Sequence, residues 1–144
     1  MRQVIRLVLA VVAGLVIGSV VNMSLIMVSG SVIAPPAGAD VTTTEGLKAS
    51  LHLFEPRHFI FPFLAHSLGT LVGAVVATLL TPGRTSGPAY GVGFAFLLGG
   101  IASVYMLPAP PWFSALDLVA AYLPAAWLGH RLVSRNVAKA ASGA

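Results

Sequence analysis

The chain consists of long apolar stretches separated by short polar breaks. Side chains of Asp, Glu, Lys and Arg are absent from three intervals, between Arg6 and Asp40, between Arg57 and Arg84, and between Arg84 and Asp117. A helix needs about 20 mostly apolar residues to cross a bilayer. The three intervals, together with a fourth apolar stretch that only Asp117 and Pro124 interrupt, therefore predict four membrane-spanning helices. We expect them at about residues 7–31, 59–80, 89–108 and 114–132.

The breaks between these stretches have the residue types of turns. Pro and Gly are concentrated at residues 34–38, 81–84 and 108–111, where they favour loops over continued helix. Only the first loop, about residues 32–58, is of any size, and it is too short for a second domain. The sequence therefore predicts a single all-α transmembrane domain over residues 1–144, folded as a four-helix bundle. Within the first loop, residues 43–53 favour a short helix with Thr44 as its N-terminal cap.

The length of the first stretch distinguishes it from a cleaved signal peptide. Basic residues precede it, as in a signal peptide, but the apolar core of such a peptide has only about 7–15 residues. The stretch here runs from Leu7 to Ile33. We therefore expect a retained helix.

Composition indicates what surrounds the helices. Hydrophobic residues make up 57% of the chain and charged residues only 8%, against about 25% charged residues in an ordinary soluble domain. So few charges cannot cover a surface in water, which makes the lipid bilayer the expected partner. The absence of cysteine excludes disulfides and thiolate chemistry. The net charge of +4 does not predict a nucleic-acid partner, because most basic residues flank apolar stretches and form no patch.

The distribution of basic residues predicts the orientation. With four spans, both termini and the second loop lie on one side of the membrane. That side carries six of the eight basic residues, namely Arg2, Arg6, Arg84, Arg131, Arg135 and Lys139. The other side carries Lys48 and Arg57. Because short cytoplasmic loops are enriched in Lys and Arg, we expect both termini in the cytoplasm.

Each predicted span carries small residues at four-residue spacing. The members of these rows that we expect to mediate helix packing are Gly14, Gly18, Gly69, Gly73, Gly91, Gly99, Ala121, Ala125 and Gly129. Lipid provides no hydrophobic drive for helix association, so close approach through small residues matters. Ordinary packing inside the bundle explains the rows. The alternative is that one row binds a protein partner or a second copy of the chain.

Four polar residues inside the spans form a candidate site. Asn22, Ser103 and Asp117 extend the small-residue rows of their own spans, and His66 follows Ala65 in the second span. All four fall at a similar depth in the outer half of the bilayer. Polar groups at such depth are costly and mark functional positions by default, so we expect an intramembrane polar cluster here.

Asp117 and His66 each have two interpretations. Asp117 is the only acid within a span, and it is either a proton or cation site or a cap in the first turn of the fourth helix, where a negative charge is favoured. His66 is either a proton relay or ligand, or a histidine that forms a hydrogen bond across helices.

A second cluster of polar residues lies in the first loop. His52, Glu55 and His58 are spaced three residues apart, and two imidazoles with a carboxylate can bind zinc. Pro56 interrupts the helix that would align them, and a fourth ligand is not evident. We therefore expect no metal and no cofactor, with Glu55, Arg57 and His58 anchoring the second helix at the lipid headgroups.

Two segments carry a family resemblance. Residues 55–66, with the sequence EPRHFIFPFLAH, and residues 107–113, with the sequence LPAPPWF, resemble small four-span bacterial membrane proteins of unassigned function. The resemblance implies a multi-pass protein of the bacterial inner membrane and implies no activity.

Three functions remain open on these observations. The first is a non-enzymatic structural or accessory protein, either a subunit of a membrane complex or a homo-oligomer, which the small-residue rows and the lack of catalytic motifs favour. The second is a small transporter or proton-coupled carrier that uses Asp117 and His66. The third is a membrane enzyme with a site at the outer face, built from His58, His66 and Asp117. The expectation is that the protein is not an enzyme.

Overall fold

The computed structural model describes the backbone of residues 1–142 and the side chains of residues 1–135. Helices account for 83% of the chain, and no strand occurs in the described range. The six α-helices are α1 (Arg2–Val32), α2 (Thr44–Ser50), α3 (Ile60–Leu80), α4 (Gly87–Met106), α5 (Pro111–Ala120) and α6 (Leu123–Ser142), with short 3-10 turns at Leu51–Leu53, Pro56–Phe59 and Pro82–Arg84. The side chain of Lys139, which the orientation argument uses, lies outside the described residues.

Four helical segments are long and apolar enough to cross a membrane. They are Arg2–Val32, Pro56–Leu80, Gly87–Met106 and Pro111–Arg135. The prediction of an all-helical chain with four such helices is confirmed. Much of the helix surface is apolar, and Val8, Val12 and Val16 of α1 are each about half exposed, at 55%, 49% and 56%. Apolar side chains on that scale suit a lipid environment.

The fourth span differs from the continuous helix that the sequence predicts. It consists of α5 and α6, with a break at residues 121–122. Pro124 explains the break, because its ring nitrogen cannot donate to the carbonyl of residue 120 and its ring crowds that carbonyl. The hydrogen-bond ladder resumes where the Ala126 N–H donates to the Tyr122 carbonyl at 2.9 Å.

Helices α3 and α4 form the centre of the bundle. Each contacts both α1 and α6, and the α1–α3 interface is the most extensive. Small residues produce that interface: a Cβ atom added to Gly14 would lie 2.5 Å from the Gly73 carbonyl oxygen, and one added to Gly18 would lie 2.6 Å from the Gly69 carbonyl oxygen. The backbones of α1 and α3 are therefore in direct contact at two successive turns.

The remaining small residues of the rows divide into two groups. Gly129 of α6 packs on α3, since an added Cβ would lie 2.7 Å from the Leu71 carbonyl oxygen. Ala121 and Ala125 are buried. Gly91 has only the side chain of Val11 nearby, and nothing lies within 4 Å of a Cβ added to Gly99.

The first loop folds back over one end of the bundle, which we call the long-loop end. Its helix α2 is capped by Thr43, whose hydroxyl accepts from the Gly46 N–H at 2.9 Å, one residue earlier than the sequence suggests. Asp40 stabilises the turn before the cap: its carboxylate accepts from the hydroxyl and the N–H of Thr42 at 2.6 and 2.8 Å. These two hydrogen bonds lower the pKa of Asp40 below its usual value.

Candidate functional site

A cavity of about 510 Å³ lies at the long-loop end of the bundle; we call it the larger cavity. Its walls come from the end of α1, the first loop, the start of α3, the end of α4 and the start of α5. Most of the lining is apolar, and it includes Phe54, Phe59, Phe61 and Phe113. The volume and the apolar walls are typical of sites for small organic molecules.

Two polar side chains meet at Asp117 in the wall of the larger cavity. His66 Nδ1 lies 2.9 Å from both carboxylate oxygens of Asp117, and the Tyr122 hydroxyl donates to Oδ2 at 2.9 Å. The His66 and Tyr122 rings stack with their centroids 5.7 Å apart. Asp117 is only 3% exposed. We refer to these three residues as the His66–Asp117–Tyr122 cluster.

The break between α5 and α6 makes this cluster possible. Residues five apart on a continuous helix point about 140° away from each other, because each residue turns about 100°. Asp117 and Tyr122 are five apart, yet their side chains meet. Pro124 interrupts the helix and so allows the Tyr122 hydroxyl to reach back to the carboxylate.

The start of α3 places His66 at its depth in the bundle. Pro62 lies in the first turn of α3, where its missing N–H costs no helical hydrogen bond. His66 follows six residues after the start of α3, about 9 Å along the helix axis at 1.5 Å per residue. The Thr70 hydroxyl donates to the His66 carbonyl at 2.7 Å, so it does not compete for the ring.

Asp117 does not have the capping role that the sequence left open. Helix α5 begins at Pro111, and its first turn contains no acidic residue. Asp117 instead lies a turn further along, with its two carboxylate oxygens hydrogen-bonded to α3 and to the α5–α6 break. The carboxyl group is therefore held by side chains of α3 and of the α5–α6 break, and not by a helix terminus.

A smaller cavity of about 170 Å³ adjoins the cluster and includes Asn22 and Ser103 in its lining; we call it the smaller cavity. His66, Gly100 and Ser103 line both cavities. Each of the four residues of the polar cluster that the sequence suggests therefore lines at least one of the two cavities, although only His66 and Asp117 are hydrogen-bonded to each other. The Ser103 hydroxyl donates to the Gly99 carbonyl of its own helix at 3.0 Å. The Asn22 Oδ1 atom is buried without a hydrogen-bond partner among the described residues.

The three loop residues considered for zinc have separate partners. His52 Nδ1 lies 2.8 Å from the Ala49 carbonyl oxygen, and Glu55 forms an ion pair with Arg57 at 3.0 Å. His58 Nδ1 accepts from the Glu55 N–H at 2.9 Å. Within the described residues, no group of three His, Cys, Asp or Glu side chains is placed to hold a metal ion. Glu55 and Arg57 are exposed, whereas His58 is buried.

The chemistry of the cluster follows from its free ring nitrogen. His66 Nδ1 is engaged by Asp117, whereas Nε2 has no hydrogen-bond partner among the described residues, and 23% of the side-chain surface is exposed. A carboxylate at one ring nitrogen orients a histidine and leaves the other nitrogen to exchange a proton or bind a ligand. Sequence reasoning did not find Tyr122 as a member; Pro124, two residues later, was the signal.

Comparison with known proteins assigns no relative. No family model matches the chain, and neither a curated protein nor a solved structure matches it. The geometry of the His66–Asp117–Tyr122 cluster is therefore the observation that bears most directly on function.

Proposed function

We propose that the protein is a small proton-coupled carrier of the bacterial inner membrane, with His66 and Asp117 as its proton site. The observation that carries this proposal is the hydrogen-bonded pair of ionisable side chains in the wall of the larger cavity. Accessory and scaffolding roles need helix packing, which small residues and neutral polar groups provide. A buried ionisable pair is costlier than packing requires, and proton relays commonly use such residues.

The arrangement of open and closed regions supports a gated pathway. Both cavities border His66 at the long-loop end, whereas further along the bundle the backbones of α1 and α3 are in direct contact through Gly14 and Gly73. In this conformation, a bound molecule or proton exchanges with the long-loop side only. Release on the other side requires a second conformation, as in alternating access.

Proton flux in liposomes tests the proposal. The purified protein is reconstituted with a trapped pH-sensitive dye, and a pH gradient is imposed in the presence of the ionophore valinomycin to prevent a build-up of charge. We expect proton flux above that of protein-free liposomes, lost in Asp117→Asn and reduced in His66→Gln. Glu55→Gln is the matched control, because it removes a carboxylate whose side chain is 62% exposed. Absence of flux, or flux unchanged in Asp117→Asn, would refute the carrier.

The orientation belongs to the same proposal, with the long-loop end at the periplasmic side and both termini in the cytoplasm. The chain has no cysteine, so single substitutions report without background. Ala49→Cys in the first loop and Thr85→Cys in the second loop, both at exposed positions, form the test pair. An impermeant maleimide should label the first in intact cells and the second only after permeabilisation. The reverse labelling pattern would show that the termini lie on the periplasmic side and would refute the proposed orientation.

A second candidate function is an accessory subunit or homo-oligomer, and Gly99 favours it. Unlike the glycines at the α1–α3 interface, Gly99 is exposed and has open space at its Cβ position. A small residue without an internal neighbour on a membrane helix suits close approach by another helix. Disulfide formation by Gly99→Cys in membranes, compared with Val119→Cys on the exposed surface of α5, tests self-association. No Gly99→Cys dimer and no co-purifying protein would remove this candidate.

A further inference from the structure

The charge of the His66–Asp117–Tyr122 cluster depends on a single proton. A neutral imidazole beside an ionised carboxylate gives the His66–Asp117 pair one negative charge. One additional proton on either residue makes the pair neutral overall. In the described residues that line the two cavities, Asp117 is the only carboxylate, and neither Lys nor Arg occurs. No fixed cation compensates the deprotonated pair, so a mobile cation is needed.

The walls of the larger cavity favour an organic cation over a hydrated metal ion. Phe54, Phe59, Phe61 and Phe113 line it, and Phe59 packs on Phe113 with ring centroids 4.7 Å apart. Aromatic faces attract cations, most strongly when both are shielded from water. Asp117 is only 3% exposed, whereas 23% of the His66 side-chain surface is exposed and its Nε2 has no partner among the described residues, so the position open to a ligand is Nε2 of His66. A lone pair on Nε2 accepts a hydrogen bond from an N–H group.

The other titratable groups around the cavity do not compete for this role. From the turn before α3, His58 lines the cavity, but its Nδ1 accepts from the Glu55 backbone, and its Nε2 is buried without a partner in the described chain. The Tyr122 hydroxyl, at the α5–α6 break, donates a hydrogen bond to Asp117. Helices α1 and α4 contribute only neutral groups to the two linings.

We propose that the substrate class is an apolar primary or secondary amine, bound as its ammonium ion in the larger cavity with an N–H donated to His66 Nε2. This rests on the proposed carrier function. Because a proton and the ammonium require the same lone pair, one excludes the other. Binding to the protonated pair releases one proton from His66 for each ammonium bound, charge is conserved, and no covalent bond other than N–H changes. The exchange couples amine movement in one direction to proton movement in the other.

Binding of a matched pair of probes tests the substrate class. The purified protein in lipid nanodiscs is titrated with 4-phenylbutylamine and with 4-phenyl-1-butanol, which has nearly the same size and shape and no charge. Calorimetry gives the affinity, and an indicator dye in weak buffer gives the proton count. We expect the amine to bind saturably and release a proton. Its affinity should fall by up to about tenfold for each unit by which the pH is lowered, over the range in which the pair takes up its proton. The alcohol should release none.

Variants assign the effect to residues. Asp117→Asn and His66→Gln should each weaken amine binding at least tenfold, whereas His52→Gln, at an exposed histidine of the first loop, should not. His58→Gln should keep the pH dependence, since its ring does not provide the exchanging lone pair. The pH dependence of the unmodified protein needs no variant, so a variant that fails to fold does not weaken the test.

The outcomes separate this inference from the carrier function. Equal binding of amine and alcohol, or amine binding without proton release, would overturn the substrate class. Proton flux that depends on Asp117, together with no amine binding, would also overturn it while the carrier function stands. Amine binding with proton release, but without proton flux even when an amine gradient is imposed across the liposome membrane, would support the site and refute transport.

Discussion

The direct contact between α1 and α3 predicts that Gly14→Ala destabilises the protein, although alanine is the better helix former. An added Cβ would lie 2.5 Å from the Gly73 carbonyl oxygen and 2.9 Å from a methyl group of Val92. The first contact is with backbone, which cannot rotate away. The helices must separate by several tenths of an ångström, and that displacement extends to the neighbouring Gly18–Gly69 contact.

The magnitude follows from two opposing effects. Forcing an extra carbon into a packed interface costs about 1–3 kcal/mol, whereas replacing glycine by alanine inside a helix gains up to about 1 kcal/mol. We expect a net loss of up to about 2 kcal/mol in the free energy of unfolding for Gly14→Ala. Gly99→Ala is the matched control, because it changes the same residue type within a helix where no atom lies within 4 Å of the new Cβ. It should gain up to about 1 kcal/mol.

Equilibrium unfolding in mixed micelles, followed by helical circular dichroism as the denaturing detergent is increased, measures both variants. The comparison between them removes most of the dependence on the micelle. Equal stability of Gly14→Ala and Gly99→Ala would refute the direct backbone contact between α1 and α3. A stabilised Gly14→Ala would refute it more strongly, since only helix propensity would then remain.

Three further predictions concern the cluster and the first loop. Gly100→Ala places a Cβ against the Tyr122 hydroxyl and ring, so it should remove the hydrogen bond to Asp117 and cost about 1–3 kcal/mol; unfolding no different from that of the unmodified protein would contradict this contact. Because the pKa of Asp40 is lowered in the folded protein, its contribution to loop stability is complete above the unfolded value of about 3.9 and disappears as the pH falls through the folded value. Hydrogen exchange at the Thr42 amide should therefore lose protection, after correction for the intrinsic rate, as the pH falls below about 4, and Asp40→Asn should abolish the change. Thr43→Ala removes the cap of α2 and should weaken that helix by about 1 kcal/mol, seen as faster amide exchange in α2 with α3 unaffected; unchanged exchange in α2 would contradict the cap.

The sequence predicts the helices better than the side-chain geometry of the site. Charge-free intervals reveal the four apolar segments because a span needs length and apolarity, and both are visible in one dimension. The common depth of His66 and Asp117 follows from counting residues along neighbouring spans. Their hydrogen bond does not follow from counting, since a four-residue row drifts around its helix and depth does not determine which faces meet.

Two features of the site depend on information that is not local in the sequence. Tyr122 joins the cluster because the chain breaks at residues 121–122, and apolarity continues across that break. Ser103 shares a cavity with His66 but donates to its own helix, a choice that sequence spacing cannot distinguish from a bond across the bundle. In each case the direction of a side chain, and not its depth in the bundle, decides whether it joins the hydrogen-bonded cluster.

The two glycine contacts between α1 and α3 also bear on the order in which the protein assembles during synthesis. These helices leave the ribosome before α4, α5 and α6, and their backbone contacts join residues of α1 and α3 alone. Asp117 and Tyr122 emerge only with the last span. A nascent chain can therefore pack a helical hairpin well before it has the His66–Asp117–Tyr122 cluster. Membrane insertases and quality-control proteases would therefore act on an intermediate that is already packed at one interface. In that intermediate His66 still lacks its hydrogen-bond partner Asp117.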